Sequence, residues 1–68
     1  MDIKQKFGRK LKEIRLLKGL SQETLANNAG LDRTYIPSIE KGERNVSITV
    51  VEKLAKALGV EMIDLINK

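Results

Sequence analysis

The sequence predicts an all-α, compact five-helix domain on three observations. Apolar residues recur at helical spacing from Phe7 onward, glycines stand where each periodic run stops, and no stretch alternates as a strand does. Sixty-eight residues, 41% of them hydrophobic, suffice for one small core and leave no room for a second. A domain of this size keeps about 3–5 kcal/mol of net stability. No repeat or low-complexity linker interrupts the chain, so residues 1–68 read as one domain.

The elements follow in order. Phe7, Leu11, Ile14 and Leu17, spaced four, three and three apart, place one apolar face on a first helix that ends near Gly19. A second helix is expected from Gln22 to Asn28, capped by Ser21, with Leu25 and Ala26 turned inward. Gly30 supplies a turn residue that tolerates a left-handed backbone. Asp32 then caps a third helix from Arg33 to Glu40, whose Ile36 and Ile39 face the core and which Gly42 closes in a left-handed conformation. Ser47 opens a fourth helix with Ile48, Val51, Leu54, Ala55 and Leu58 as its inward stripe, ended by Gly59. Met62 and Leu65 carry the apolar face through a last helix of roughly two turns.

Composition excludes several functions. The chain has neither cysteine nor histidine, which removes disulfides, the usual zinc ligands and a Cys or His catalyst. No carboxylate pair stands where it would line a pocket, so no reaction can be written, and no enzyme, metal, cofactor or small-molecule ligand is expected. The N-terminal segment is basic but never builds an uninterrupted apolar run, so neither a signal peptide nor a membrane span is expected, and the predicted location is the cytoplasm. The formal charge is +4, unevenly placed. Between Ile3 and Lys18 the cations Lys4, Lys6, Arg9, Lys10, Lys12, Arg15 and Lys18 face only Glu13. From Ser47 onward Lys53, Lys56 and Lys68 balance Glu52, Glu61 and Asp64. One end suits a polyanion, and the other suits a protein partner.

Two short helices joined by a glycine turn between Ser21 and Arg44 make a helix-turn-helix, whose second helix enters the major groove of DNA. Arg33 is the leading candidate for base reading, because a guanidinium matches O6 and N7 of guanine. Thr34 and Tyr35 share its exposed turn, and Ser38 is a further polar contact. Pro37 removes an N–H about one turn into the helix and predicts a bent or loosened start, with contact to a thymine methyl as its functional reading. Gln22, at the start of the second helix, is expected to hold a phosphate, with Ser21 beside it. Arg44, Asn45 and the Ser47 cap form a second phosphate-binding set after the third helix. Glu40 is expected to pair with a first-helix arginine such as Arg15. Because aromatics total 3%, stacking along single strands has little support, and duplex DNA is the expected partner.

Val50, Ile63 and Ile66 are left outside the core by the same helical phase that buries their neighbours. Singly exposed apolar residues are ordinary. Three gathered on the last two helices instead predict a dimer interface, and a two-fold contact there suits a reader of paired half-sites.

Gln22, Leu25, Ala26, Gly30, Leu31, Ile36, Ile39, Glu40 and Gly42 spell the pattern of the phage-repressor-like helix-turn-helix family, and the chain resembles that family. The wider run LSQETLANNAGLDRTYI with EKGERNVSI is similar to the controller proteins of restriction-modification systems. That resemblance implies a small homodimer that binds a palindromic operator and adjusts transcription of its own operon. Two positions depart from the pattern. Pro37 stands where a small or polar residue is usual, and Glu61 stands where Ser or Thr usually opens the last helix, so that helix is expected to fray unless a dimer holds it. A protein-interaction or antitoxin-like module on the same fold is the alternative, with a partner on the Met62 to Ile66 surface. No regulatory domain is read in the sequence, which leaves concentration, dimerisation or another protein as the means of control.

Overall fold

Local capping sets where the helices start. The Asp2 side chain accepts from Gln5 N, Ser21 from Thr24 N and Ser47 from Val50 N, each satisfying a donor that the first turn would leave unpaired. In the computed structural model, which describes residues 2–66, the chain forms α1 (Ile3–Leu17), α2 (Gln22–Ala29), α3 (Tyr35–Glu40), α4 (Ile48–Leu58) and α5 (Met62–Ile66), with no strand among the described residues. Lys68, part of the C-terminal charge balance, lies outside them. Gly30 closes α2 at φ 70°, and the bonds Leu31 N to Ala26 O and Gly30 N to Asn27 O turn the chain toward α3. Gly42 takes φ 76° after α3, as its place at the helix end predicts.

α3 is shorter than its sequence suggests. It starts at Tyr35, not Arg33, because Pro37 lacks the N–H that would reach the Arg33 carbonyl. Arg33 and Thr34 form a turn instead, held by Tyr35 N donating to Asp32 O at 3.0 Å. The last helix runs from Met62 through Ile66, little more than one turn among the described residues. Glu61 is a poor cap by its own side chain, but its backbone N–H donates to the Asp64 carboxylate at 2.9 Å. That is half of a capping box.

α1 packs on α3 and α5, α2 packs on α3 and α4, and α4 packs on α5. Leu11, Leu25, Ile36, Ile39, Leu54 and Leu65 fill the centre and are almost wholly removed from solvent. Phe7, Ala26, Val51, Ala55 and Leu58 are buried with them, as is Ala29, which helical spacing alone did not mark, while Ile14, Leu31 and Met62 pack at the margin. Gly8 is the point of closest approach between α1 and α3: a Cβ there would run into the Ile39 carbonyl oxygen.

Two inward assignments are corrected. Leu17 is 85% exposed, and Arg15 is buried on that helix instead. Each step of three residues falls about 60° behind the face, so two such steps carry Leu17 off the stripe. Ile48 is 74% exposed, whereas Val50, expected outside, is half-buried against the core. Val50 stands one turn before buried Leu54 and one turn after Val46, which packs against the core from the preceding loop, whereas Ile48 stands one turn before exposed Glu52.

Candidate nucleic-acid interface

A buried ion pair fixes the two helices of the motif against α1. Arg15 donates through Nε to Glu40 Oε2 at 2.7 Å, through Nη2 to Oε1 at 3.1 Å and through Nη1 to the Leu20 carbonyl at 2.8 Å. This is the pairing expected from the sequence. Glu40 Oε1 also accepts from Gln22 Nε2 at 3.0 Å, so α1, α2 and α3 meet at one carboxylate. One amide hydrogen of Gln22 is thereby committed, and the other remains for a ligand.

Gln22, Glu23, Arg33, Thr34 and Pro37 line an open hollow of about 340 Å³ between the start of α2 and the start of α3. The structure thus brings together three of the five expected base readers, Arg33, Thr34 and Pro37, beside the expected phosphate contact Gln22. Arg33 is exposed and has no carboxylate partner among the described residues. Thr34 turns its hydroxyl back to Asp32, donating from N at 3.0 Å and from Oγ1 at 3.1 Å to Oδ1. The backbone bond, then the hydroxyl bond, hold the Asp32 carboxyl below the ordinary carboxylate range, with smaller help from Arg33 and Arg44.

Tyr35 and Ser38 turn away from that hollow toward the loop after α3. The Arg44 guanidinium lies 4.1 Å from the centre of the Tyr35 ring, and its Nε donates to Ser38 Oγ at 2.9 Å. The Ser38 hydroxyl in turn donates to the carbonyls of Tyr35 at 2.9 Å and Thr34 at 3.2 Å. Ser38 fastens the loop to the helix, an arrangement that spacing alone did not reveal.

The phosphate candidates fall in separate hollows. Gln22 lines the one beside Arg33, and Arg44 and Asn45 line another, of about 200 Å³, shared with Lys4, Lys6 and Ile66. Ser21 and Ser47 serve as caps, and Ser21 Oγ also donates to Thr24 Oγ1 at 2.9 Å. Ile63 and Ile66 are exposed, at 63% and 53%, on α5. Glu23 was not expected from the sequence. Lys41, the C-cap of α3, opens the loop that the sequence offered for tracking a phosphate backbone. Among the described residues no group of three acidic side chains is placed to hold a metal ion, and no helix is long and apolar enough to cross a membrane.

Two short helices set by a glycine turn, with an exposed arginine in the turn before the second, define a helix-turn-helix DNA-binding protein. The chain belongs to the helix-turn-helix family, which matches residues 11–65, and its relatives are transcriptional regulators. It is 51% identical over 67 residues to the control protein C.BamHI of Bacillus amyloliquefaciens, covering 97% of this chain and 83% of that one. It is 43% identical to the control protein C.SmaI of Serratia marcescens, covering 100% and 81%. The crystal structure of the restriction-modification controller protein C.AhdI from Aeromonas hydrophila superposes with a TM-score of 0.89 at 53% identity, covering 91% and 94%. The resemblance to controller proteins seen in the sequence therefore extends to the fold.

Proposed function

We propose that the chain is a dimeric controller protein that binds a palindromic operator and sets transcription of a restriction-modification operon in the cytoplasm. The observation that carries this reading is the hollow shared by Gln22, Arg33, Thr34 and Pro37, which presents an unpaired guanidinium beside a polar helix start. Likeness to control proteins over nearly the whole chain supports the operon assignment. Arg33 reads a guanine edge, with Thr34 and Pro37 against neighbouring bases, and Tyr35 and Ser38 complete the reading helix. Gln22 and Ser21 hold phosphates on one side, and Arg44, Asn45 and Ser47 hold them on the other. Ile63 and Ile66, with Val50 at the core margin of α4, pair two protomers so that their reading helices enter grooves about 34 Å apart.

The test is selection of bound duplexes from a random pool at low and moderate salt. A two-fold symmetric motif that persists at moderate salt is the expected result. Arg33→Ala then relaxes base preference, while Gln22→Ala weakens binding to all sequences alike. Failure to enrich any motif refutes the proposal and leaves a domain whose partner is another protein.

A further inference from the structure

A further open hollow, of about 400 Å³, is lined by Gln5, Arg9, Lys12, Glu40 and Lys41. Gln5, Arg9 and Lys12 lie four and three residues apart and share one edge of α1. This hollow adjoins the one beside Arg33, because Glu40 lines this one, Gln22 lines the one beside Arg33, and the two side chains are hydrogen-bonded at 3.0 Å. Arg33 stands in the turn before α3, Pro37 lies within the helix, and Lys41 is its C-cap, so α3 and its two flanks border both hollows.

The charge in this hollow is unbalanced. Arg9, Lys12 and Lys41 are exposed, and the one carboxylate among the lining residues, Glu40, is already engaged by Arg15 and Gln22. Arg15 with Glu40 is the only ion pair among the described residues. Cations gathered without counter-charge repel one another, and a polyanion relieves that repulsion. All three cations stand in solvent at the rim of an open surface, which suits an extended backbone more than an enclosed small anion.

We propose that Arg9, Lys12 and Lys41 form a phosphate track that carries duplex DNA past the bases read at Arg33, binding phosphodiesters that flank the recognised sequence. The proposal rests on the DNA-binding reading above and assigns α1 a direct part in it. Such contacts carry no sequence information, so they add affinity and salt dependence without changing base preference.

The experiment measures binding of wild type and of R9Q/K12Q to a long mixed-sequence duplex across a series of salt concentrations. The variant K53Q/K56Q, with the same change in net charge at exposed positions on α4, is the control. The slope of log affinity against log salt is expected to fall in magnitude by about 0.9 for each phosphate that R9Q/K12Q no longer neutralises. The control keeps the wild-type slope, and the motif enriched from a random pool is the same for all three proteins. Thermal melting confirms that the exposed substitutions leave the fold intact. An unchanged slope in R9Q/K12Q, or an equal drop in the control, overturns the track while leaving the operator reading standing. Titration with pyrophosphate is a separate arm: saturable binding abolished in R9Q/K12Q, with an unchanged DNA slope, overturns it in favour of a free-anion site. A wild-type protein that does not bind duplex DNA overturns both proposals.

Discussion

Arg15 on α1 and Glu40 on α3 form a two-pronged ion pair, at 2.7 and 3.1 Å, with side chains only 8% and 5% exposed. Geometry of this kind makes the carboxylate a fixed point. Gln22 is oriented by Glu40 Oε1, one of the two oxygens that hold α3 to α1, so the start of α2 and the end of α3 share one anchor.

Removing one partner leaves the other charge buried and unpaired, at a cost of about 3–5 kcal/mol. That equals the whole net stability of about 3–5 kcal/mol expected for a domain this small. Glu40→Ala is therefore expected to be largely unfolded at room temperature in circular dichroism, while the paired change Arg15→Met/Glu40→Leu melts above either single variant. A Glu40→Ala protein that melts near wild type would show that the pair is not needed for folding.

Gly8→Ala places a methyl group against the Ile39 carbonyl, in backbone that cannot yield as a flexible side chain does. The expected loss is about 1–3 kcal/mol, from forcing α1 and α3 apart. Leu16→Ala, on the same helix at a residue 58% exposed, is the comparison, with an expected change within about 0.5 kcal/mol. Equal melting temperatures for the two variants would refute the close approach.

The Asp32 carboxyl is lowered by accepting from Thr34 N and Oγ1. Its folded pKa lies below its unfolded value, so its contribution to stability is complete above the ordinary aspartate pKa of about 3.9 and fades as pH falls through the lowered folded value. Asp32→Asn is therefore expected to narrow its stability difference from wild type in acid, most of the change falling below about pH 4. Urea unfolding at several pH values measures it, and a difference that stays constant into acid contradicts the assignment.

Ile63 and Ile66 are exposed on α5, whereas Val50 packs on the core margin. On the proposed dimer, Ile63→Asp/Ile66→Asp is expected to remain helical but to sediment as a monomer at concentrations where the wild type sediments as two chains. Val50→Asp is expected to lower the melting temperature as well, since it buries a carboxylate against apolar neighbours. Dimeric sedimentation of the double variant would remove α5 from the interface.

The helix order, the turn at Gly30, most of the core and the Arg15–Glu40 pair were legible because each rests on local spacing or on one strong chemical preference. Arg33, Thr34 and Gln22 were legible as neighbours for the same reason. Tyr35 and Ser38 were not separable from them, since two positions on a short helix differ only in the face that a later loop covers. Arg44 covers that face here through its bond to Ser38 and its stack on Tyr35.

The sequence by itself determined the all-helical class, the helix-turn-helix and the charge asymmetry, because periodicity, caps and composition are properties of short segments. Only the tertiary structure decided that Ile48 lies outside and Val50 at the core margin, that Arg44 covers Tyr35 and Ser38, and that Arg9, Lys12 and Lys41 share a hollow. Those outcomes depend on which surfaces of separate helices meet. Packing across α1 and α3, through Gly8 and Glu40, sets that meeting with distances that no single helix encodes.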